Sequence, residues 1–215
     1  MHPFTLDPAK MRRVLCIGAH CDDVEIGAGA TLIAWSQRCP GVRFDWVLFS
    51  GDDQREAESR AAAARIHVGG DYSVRVLRFR GSYFPAEYGA IKDVMEALRD
   101  GPEPDLVLTH RLEDRHQDHR VLAELTWGTF RRHQILEYEI PKYEGDLGQP
   151  NVYVPLDETH VTAKLALLME CFPSQRHRAW FTEDLFRGHL RLRGIECNAP
   201  SGFAEAFYAR KLTVD

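Results

Sequence analysis

The chain has 215 residues, of which 44% are hydrophobic and 27% are charged, an ordinary composition for a globular protein with one substantial core. Its formal net charge of -5 at pH 7 argues against nucleic acid as the main partner, because such binding needs a basic surface. No 18 apolar residues run together, and residues 1–8 lack the regions of a signal peptide, so we expect no membrane span and a cytoplasmic location.

The first two thirds of the chain alternate short β-prone runs with helical patterns. Strands are predicted at 12–19, 44–50, 74–80, 105–110 and 135–141, and helices at 24–37, 55–67, 89–99 and 118–132. This alternation is typical of a parallel sheet with helices on both faces. The sequence therefore predicts an α/β fold with a mainly parallel sheet.

The last third has weaker signals. Glycines and prolines across 143–155 predict a long surface loop, and loops of that length are often functional. Asp157 is a predicted helix N-cap, with the helix ending near residue 172. A further helix is predicted at 178–192 and a last strand at 203–208.

The five cysteines are scattered, odd in number and contain no Cys-x-x-Cys pair. Neither a disulfide framework nor a thiolate zinc site is indicated, and we expect a reducing compartment.

Ionisable residues gather where two predicted strands end. His20, Asp22 and Asp23 follow the strand 12–19, and the segment 110–119 contains three histidines and three carboxylates directly after the strand 105–110. Ligands of open α/β sheets bind outside the carboxyl ends of the strands. So many ionisable groups at adjacent strand ends would be costly without a charge to pair with, although a lone His or Asp there is usually a structural residue or a helix cap.

The spacing of these residues suits a catalytic metal ion. Zinc enzymes use three His, Asp or Glu ligands and leave a fourth position open. His20 and Asp23 lie three residues apart at a helix start, and either His119 or His116 can supply the third ligand. Asp22 points elsewhere than Asp23 and is free to accept a proton from a metal-activated water, as a general base.

The second cluster holds one histidine more than the metal needs. Asp118 can orient an imidazole by accepting its N–H. A histidinium beside the metal would stabilise an oxyanion and protonate a leaving amine. Together these parts predict amide hydrolysis.

Gly27 and Gly29 raise the question of a nucleotide-binding loop. A lone Gly-x-Gly is a weak signal, and no third glycine stands where the dinucleotide fingerprint requires it. We expect these glycines to permit close packing of a helix.

Two motifs resemble those of the PIG-L/LmbE-like zinc-dependent de-N-acetylases, which act on N-acetylglucosamine-type amino sugars. The segment 19–23, Ala-His-Cys-Asp-Asp, resembles the family's Ala-His-Pro-Asp-Asp, and 116–119, His-Gln-Asp-His, matches its His-x-Asp-His. Weaker matches extend the resemblance over nearly the whole chain: Arg55 to Glu58, Lys164, Ser174 with Gln175, and Phe203 to Phe207.

The resemblance implies a Rossmann-like sheet and a single deacetylase domain over residues 1–215. It implies His20, Asp23 and His119 as ligands of Zn²⁺, with another divalent metal such as Fe²⁺ as the alternative. It further implies Asp22 as general base, and His116 as electrostatic and acid partner oriented by Asp118. The implied substrate is an N-acetyl amino sugar or its conjugate. Cys21 departs from the family's proline, which removes a fixed φ and places a thiol beside the metal.

Other interpretations remain open on the sequence. Two His and one carboxylate also form the facial triad of mononuclear Fe(II) oxygenases, and a third possibility is a non-catalytic, metal-stabilised sugar-binding module. The arginines between 176 and 193 predict either a solvated helix face or an anion-binding lip for a sugar attached to phosphate or nucleotide. A homo-oligomer is compatible with the sequence.

Overall fold

The computed structural model describes residues 11–212, so the expectation about residues 1–8 falls outside the described part of the chain. Seven strands form one sheet: β1 (Arg13–His20), β2 (Arg43–Ser50), β3 (Asp71–Val76), β4 (Leu106–His110), β5 (Gln134–Tyr138), β6 (Val152–Leu156) and β7 (Phe203–Tyr208). Six α-helices accompany them: α1 (Asp23–Arg38), α2 (Asp53–Ile66), α3 (Tyr88–Arg99), α4 (Gln117–Thr129), α5 (Glu158–Cys171) and α6 (Glu183–Glu196).

The strand order is β3-β2-β1-β4-β5-β7-β6, and the first five strands of this order are parallel. The chain therefore runs outward from β1 to β3 and then returns to place β4 on the other side of β1. This reversal is a topological switch point, where the loops after the two central strands separate and leave a crevice. The α/β fold with a mainly parallel sheet is confirmed.

Each face of the sheet is covered by helices because the central strands are apolar on both faces. Along β1, Val14 and Cys16 belong to one buried cluster, whereas Leu15 and Ile17 belong to the other. The first cluster takes its helical residues from α1, α2, α5 and α6, and the second takes them from α3 and α4. Side chains that alternate along a strand point to opposite faces, which explains the near-continuous apolar sequence of β1.

The predicted loop 143–155 was wrong in its last residues, which form strand β6. β6 pairs antiparallel with β7, and β7 pairs antiparallel with β5. Pro155 is tolerated because β6 is an edge strand, where a missing backbone N–H breaks no central ladder.

The predicted helix 178–192 was displaced. α6 begins at Glu183, where the Thr182 side chain caps the helix by accepting a hydrogen bond from the Leu185 N–H at 3.3 Å. The predicted strand 74–80 also begins too late, since β3 starts at Asp71.

Helix α1 is held tightly against the sheet. A Cβ on Gly27 would lie 2.3 Å from Cδ2 of Tyr138 on β5, which agrees with the expectation that this glycine permits close packing. Further along the helix, the buried Glu205 of β7 accepts hydrogen bonds from the N–H groups of Ala30 and Thr31, and Lys164 of α5 pairs with Glu205 at 2.5 Å. α1 is thus held by contacts with β5, β7 and α5, which are all distant from it in sequence.

Within the described residues, no helix combines the length and the apolar character that a membrane crossing requires.

Candidate metal centre and active site

The loop from β1 into α1 carries the first group of site residues. Asp22 has φ 126° and ψ -22°, a conformation that costs a non-glycine residue about 1–3 kcal/mol and that concentrates at functional sites. Its side chain does not cap α1 and instead lies 2.9 Å from Nη2 of Arg55 on α2. The Asp23 carboxylate folds back to accept the His20 N–H at 2.7 Å. The two adjacent carboxylates therefore face different partners, as their spacing predicted.

The loop between β4 and α4 carries the second group. His116 is the N-cap of α4, and its Nδ1 accepts the Asp118 N–H at 3.3 Å. His119 follows within the first turn and is almost fully buried. Because β1 and β4 are neighbouring parallel strands, the structure brings this helix start beside His20 and Asp23.

Three potential donor groups converge between the two loops. His20 Nδ1 lies 3.4 Å from Asp23 Oδ2 and 3.3 Å from His119 Nε2, and His119 Nε2 lies 3.5 Å from Asp23 Oδ1. His119 Nδ1 contacts Asp114 Oδ2 at 2.9 Å, and His20 Nε2 contacts Asp118 Oδ2 at 3.1 Å. When the ring is neutral, each carboxylate fixes the proton on the far nitrogen, and the near nitrogen then presents a lone pair to a metal ion. This donor set fits a divalent cation.

Two further histidines lie close enough to compete as ligands. The ligand atoms of His20, His116 and His119 lie within 4.8 Å of one another, and so do those of Asp23, His110 and His119. The His110 ring stacks on His119 with centroids 3.9 Å apart, and its Nε2 accepts the Ala19 N–H at 2.9 Å. That bond occupies the Nε2 lone pair, and Nε2 also lies 3.2 Å from Asp23 Oδ2, so His110 supports both His119 and Asp23.

Burial and neighbouring charges set the protonation of the cluster. Burial and His110 lower the pKa of His119 to about 3, so its imidazole is neutral at pH 7. Burial alone would lower the pKa of His20, but Asp23 and Asp118 raise it to about 9. Burial would raise the pKa of Asp23, but the surrounding histidines hold it well below its usual range. The site thus favours positive charge at its centre.

Asp22 differs from Asp23 in its protonation. Burial raises the pKa of Asp22 to about 7, and the positive charge of Arg55 only partly opposes this shift. A carboxylate with a pKa near neutrality exchanges protons readily at physiological pH.

Two of the predicted roles need correction. The Asp118 carboxylate contacts His20 rather than His116, since it also accepts the Ser82 and Phe84 N–H groups, which hold it on the side of His20. The predicted histidinium at His116 is disfavoured because burial and the charge of His20 lower the pKa of His116.

The sequence interpretation missed the roles of Asp114, His110 and Arg55. Asp114 and His110 both lie in the second cluster, but their spacing to His119 does not reveal which imidazole they contact. Arg55 belongs to a weak family match and was given no role. Other weak matches are structural: Glu58 accepts both the Ser174 N–H at 2.9 Å and its hydroxyl at 2.6 Å.

Cys21 lies outside both metal-ligand groups of the described residues. Its thiol is buried and donates to the Ser50 carbonyl at 3.5 Å, and burial raises the pKa of Cys21 to about 12. The neutral thiol packs against the start of α2 near Gly51, where a Cβ would lie 2.6 Å from Cys21 Sγ.

The donor groups lie in a cavity of about 730 Å³ that is also lined by Asp22, His116, Tyr143, Arg178 and Trp180. Arg178 is the only arginine of the 176–193 segment that lines it. The others bond elsewhere: Arg176 to the Met169 carbonyl, Arg187 to Glu158, Arg191 to the Ser201 and Gly202 carbonyls, and Arg193 to Glu139. Of the arginines that were predicted to bind an anion at the mouth of the site, only Arg178 is therefore placed to do so.

The chain is similar in sequence to known proteins. The profile of the PIG-L family, described as GlcNAc-PI de-N-acetylase, matches residues 15–130, more than half of the chain. A protein of Escherichia coli K12 named uncharacterized deacetylase YaiS is 31% identical over 175 residues, which cover 74% of this chain and 90% of YaiS.

Two solved structures show the same fold. The N,N'-diacetylchitobiose deacetylase of Pyrococcus horikoshii has a TM-score of 0.66 at 20% identity and covers 96% of this chain and 87% of its own. GalB, the 4-carboxy-2-hydroxymuconate hydratase of Pseudomonas putida KT2440, has a TM-score of 0.71 at 19% identity and covers 95% of this chain and 98% of its own. At such identities the likeness concerns the fold, and a fold shared by a deacetylase and a hydratase leaves the reaction to the site.

Proposed function

The chain belongs to the PIG-L family, and we propose that it is a divalent-metal-dependent hydrolase that removes the N-acetyl group of an N-acetylglucosamine-type amino sugar or its conjugate. The observation that carries this proposal is the convergence of His20 Nδ1, His119 Nε2 and the Asp23 carboxylate within 3.5 Å of one another. The acidic partners of both imidazoles fix the tautomers that a metal needs.

The nitrogen and oxygen donors suit Zn²⁺, and Fe²⁺ is compatible with the same set. When bound, such an ion supplies Lewis acidity that polarises the acetyl carbonyl and lowers the pKa of water. The Fe(II) oxygenase alternative gains no support, because the donors lie at the switch point of an α/β sheet in a family described as de-N-acetylases.

Asp22 and His116 divide the proton transfer and the charge stabilisation. Asp22 accepts a proton from the attacking water, which its raised pKa makes possible near neutral pH. Since His116 Nδ1 accepts the Asp118 N–H, the neutral ring carries its proton on Nε2 and donates it as a hydrogen bond to the developing oxyanion. When the C–N bond breaks, the proton held by Asp22 passes to the leaving nitrogen, so that a free amine and acetic acid result, and the acid releases its own proton to give acetate.

The cavity wall suggests the class of substrate. Tyr143 and Trp180 offer aromatic surface, which suits the apolar face of a sugar ring. The Arg178 guanidinium donates to the Gln175 side chain at 2.8 Å and forms no ion pair among residues 11–212, although its charge helps to oppose the rise in the pKa of Asp22. Lys142 and Arg55, by contrast, are paired with carboxylates. We infer that Arg178 favours an anionic amino sugar, such as a phosphorylated or nucleotide-linked one.

Acetate release tests the reaction and the substrate together. Purified protein is offered free, phosphorylated and nucleotide-linked N-acetylglucosamine, with and without prior chelation and with Zn²⁺ restored. We expect metal-dependent acetate release and the lowest KM for an anionic compound. The Arg178→Gln variant should raise KM for that compound alone, since an interaction made equally in the ground and transition states changes KM rather than kcat.

Particular outcomes would contradict these assignments. Zinc binding without acetate release from any compound would favour the non-catalytic module, and hydration of an unsaturated acid would favour a GalB-like reaction. Equal KM changes for neutral and anionic compounds would remove Arg178 from substrate recognition.

A further inference from the structure

Lys142 lies in the cavity wall without a free N–H for a substrate. It belongs to the loop 139–151, which connects β5 to β6 and contains no helix or strand. Its Nζ bonds Asp114 Oδ2 at 3.0 Å, both oxygens of Asp146 at 3.0 and 3.1 Å, and the Ile140 carbonyl at 3.3 Å. An ammonium group has three protons, so these partners occupy it fully.

The same Asp114 oxygen that accepts from Lys142 also accepts from His119 Nδ1, at 2.9 Å. Asp114 Oδ1 accepts the His116 N–H at 2.8 Å. The side chains of His119, Asp114, Lys142 and Asp146 are each between 3% and 6% exposed. A continuous buried chain of contacts therefore links a proposed metal ligand to the loop in the cavity wall.

At the 139–151 loop, this series of contacts is anchored on the segment that leads into α4. The Arg115 N–H donates to Asp146 Oδ2 at 2.6 Å, and Arg111 Nη1 donates to the Asp146 carbonyl at 2.6 Å. Ile140, Tyr143 and Glu144 of the loop line the cavity together with Lys142. The order of this part of the cavity wall is thus linked to Asp114, the carboxylate that holds His119.

We propose that Lys142 is a positioning residue that couples metal binding at His119 to the order of the 139–151 loop, so that the metal ion and the substrate wall stabilise each other. The ammonium group neutralises two buried carboxylates and keeps Asp114 directed at His119. Without it, the buried carboxylates of Asp114 and Asp146 would keep their other hydrogen bonds but would lack a positive charge between them, which strongly disfavours the arrangement. Since coupling is reciprocal, metal binding must also stabilise the loop. This inference rests on the metal site of the proposed function.

Zinc affinity measured by chelator competition tests the proposal without any substrate. We expect Lys142→Met to weaken Zn²⁺ binding by about 10- to 100-fold, the usual effect of losing an outer-shell partner of a ligand. Lys142→Arg keeps the charge and should retain most of the affinity. Arg111→Met is the comparison variant: it loosens the loop at the Asp146 carbonyl but leaves the contact between Lys142 and Asp114 in place, so we expect a smaller loss of affinity than in Lys142→Met.

Hydrogen exchange of the wild-type chain gives an independent measurement. Zn²⁺ should slow exchange of two amides, that of Arg115, which donates to Asp146 of the loop, and that of Gly148 within the loop, which donates to Glu139, and Lys142→Met should abolish this slowing. Unchanged exchange in the wild-type protein or unchanged zinc affinity in Lys142→Met would overturn the coupling, and an equal loss in Arg111→Met would overturn the role of Lys142 as the residue that carries it. A wild-type chain that binds neither Zn²⁺ nor Fe²⁺ would instead refute the proposed function itself, and the coupling with it.

Discussion

Replacing Gly27 with alanine measures how closely α1 packs on the sheet beside the proposed metal ligand Asp23. The added Cβ would lie 2.3, 2.6 and 2.9 Å from three carbons of Tyr138. This ring cannot move away easily, because it is fully buried and its hydroxyl donates to the Ile17 carbonyl at 2.6 Å. The helix or the ring must therefore shift.

The expected change in the free energy of unfolding of Gly27→Ala follows from two opposing effects. Overpacking a buried site costs about 1–3 kcal/mol, whereas exchanging glycine for alanine inside a helix gains about 0.5–1 kcal/mol. At separations this short we expect the upper part of the first range, and a net loss of about 2 kcal/mol in the free energy of unfolding. Since Gly27 lies one turn after Asp23, the shift should also weaken Zn²⁺ binding.

Gly29→Ala is a matched control two residues along the same helix. Its Cβ would have ordinary contacts, the nearest at 3.7 Å with Lys164. The variant should therefore show only the stabilisation of about 0.5–1 kcal/mol that alanine gives over glycine inside a helix. Denaturant unfolding and zinc competition on both variants provide the test. If Gly27→Ala is as stable as the wild type and binds zinc as well, the close packing of α1 on Tyr138 does not position the site.

Three further predictions concern the site and its surroundings. His119→Ala should lose stoichiometric zinc, measured by metal analysis, because two remaining ligands hold zinc poorly; full metal content would remove His119 from the ligand set. Asp22→Asn should keep the metal but lower the rate of acetate release by about 10²–10⁴-fold, the usual contribution of a general base, and a near-normal kcat would exclude that role. Burial lowers the pKa of His67 to about 4, below the value near 6.5 of an unfolded histidine, so the unfolded chain binds the extra proton and stability falls as the pH drops from about 6.5 to about 4. Compared with His67→Leu in denaturant unfolding, the wild type should lose about 3 kcal/mol more between pH 7 and pH 4, and parallel pH profiles would contradict this.

Much of the fold could be predicted because its determinants are local. The apolar run of β1 and the acidic N-cap at Asp157, which accepts the His160 N–H at 3.0 Å, act over a few residues. Helix α1 was predicted at 24–37 and spans Asp23–Arg38. Strand β6 escaped prediction because an edge strand of five residues is stabilised by pairing with β7, about fifty residues later.

The sequence by itself determined which two segments meet. The alternation of strands and helices implies parallel strands, and parallel strands deliver the residues that follow them to one edge of the sheet. His20 and Asp23 could therefore be grouped with His116 or His119 before any distance was known. The family resemblance implied His119, and these ligand roles remain a prediction that metal analysis can test.

Only the tertiary structure decided which side chains face each other inside that group. Asp118 contacts His20 across 98 residues, and Lys142 reaches Asp114 across 28. Arg178 lines the cavity, whereas Arg193 of the same segment is buried against Glu139. The physical reason is that sequence spacing fixes the direction of a side chain only relative to its own helix or strand, whereas its partner depends on how separate elements pack.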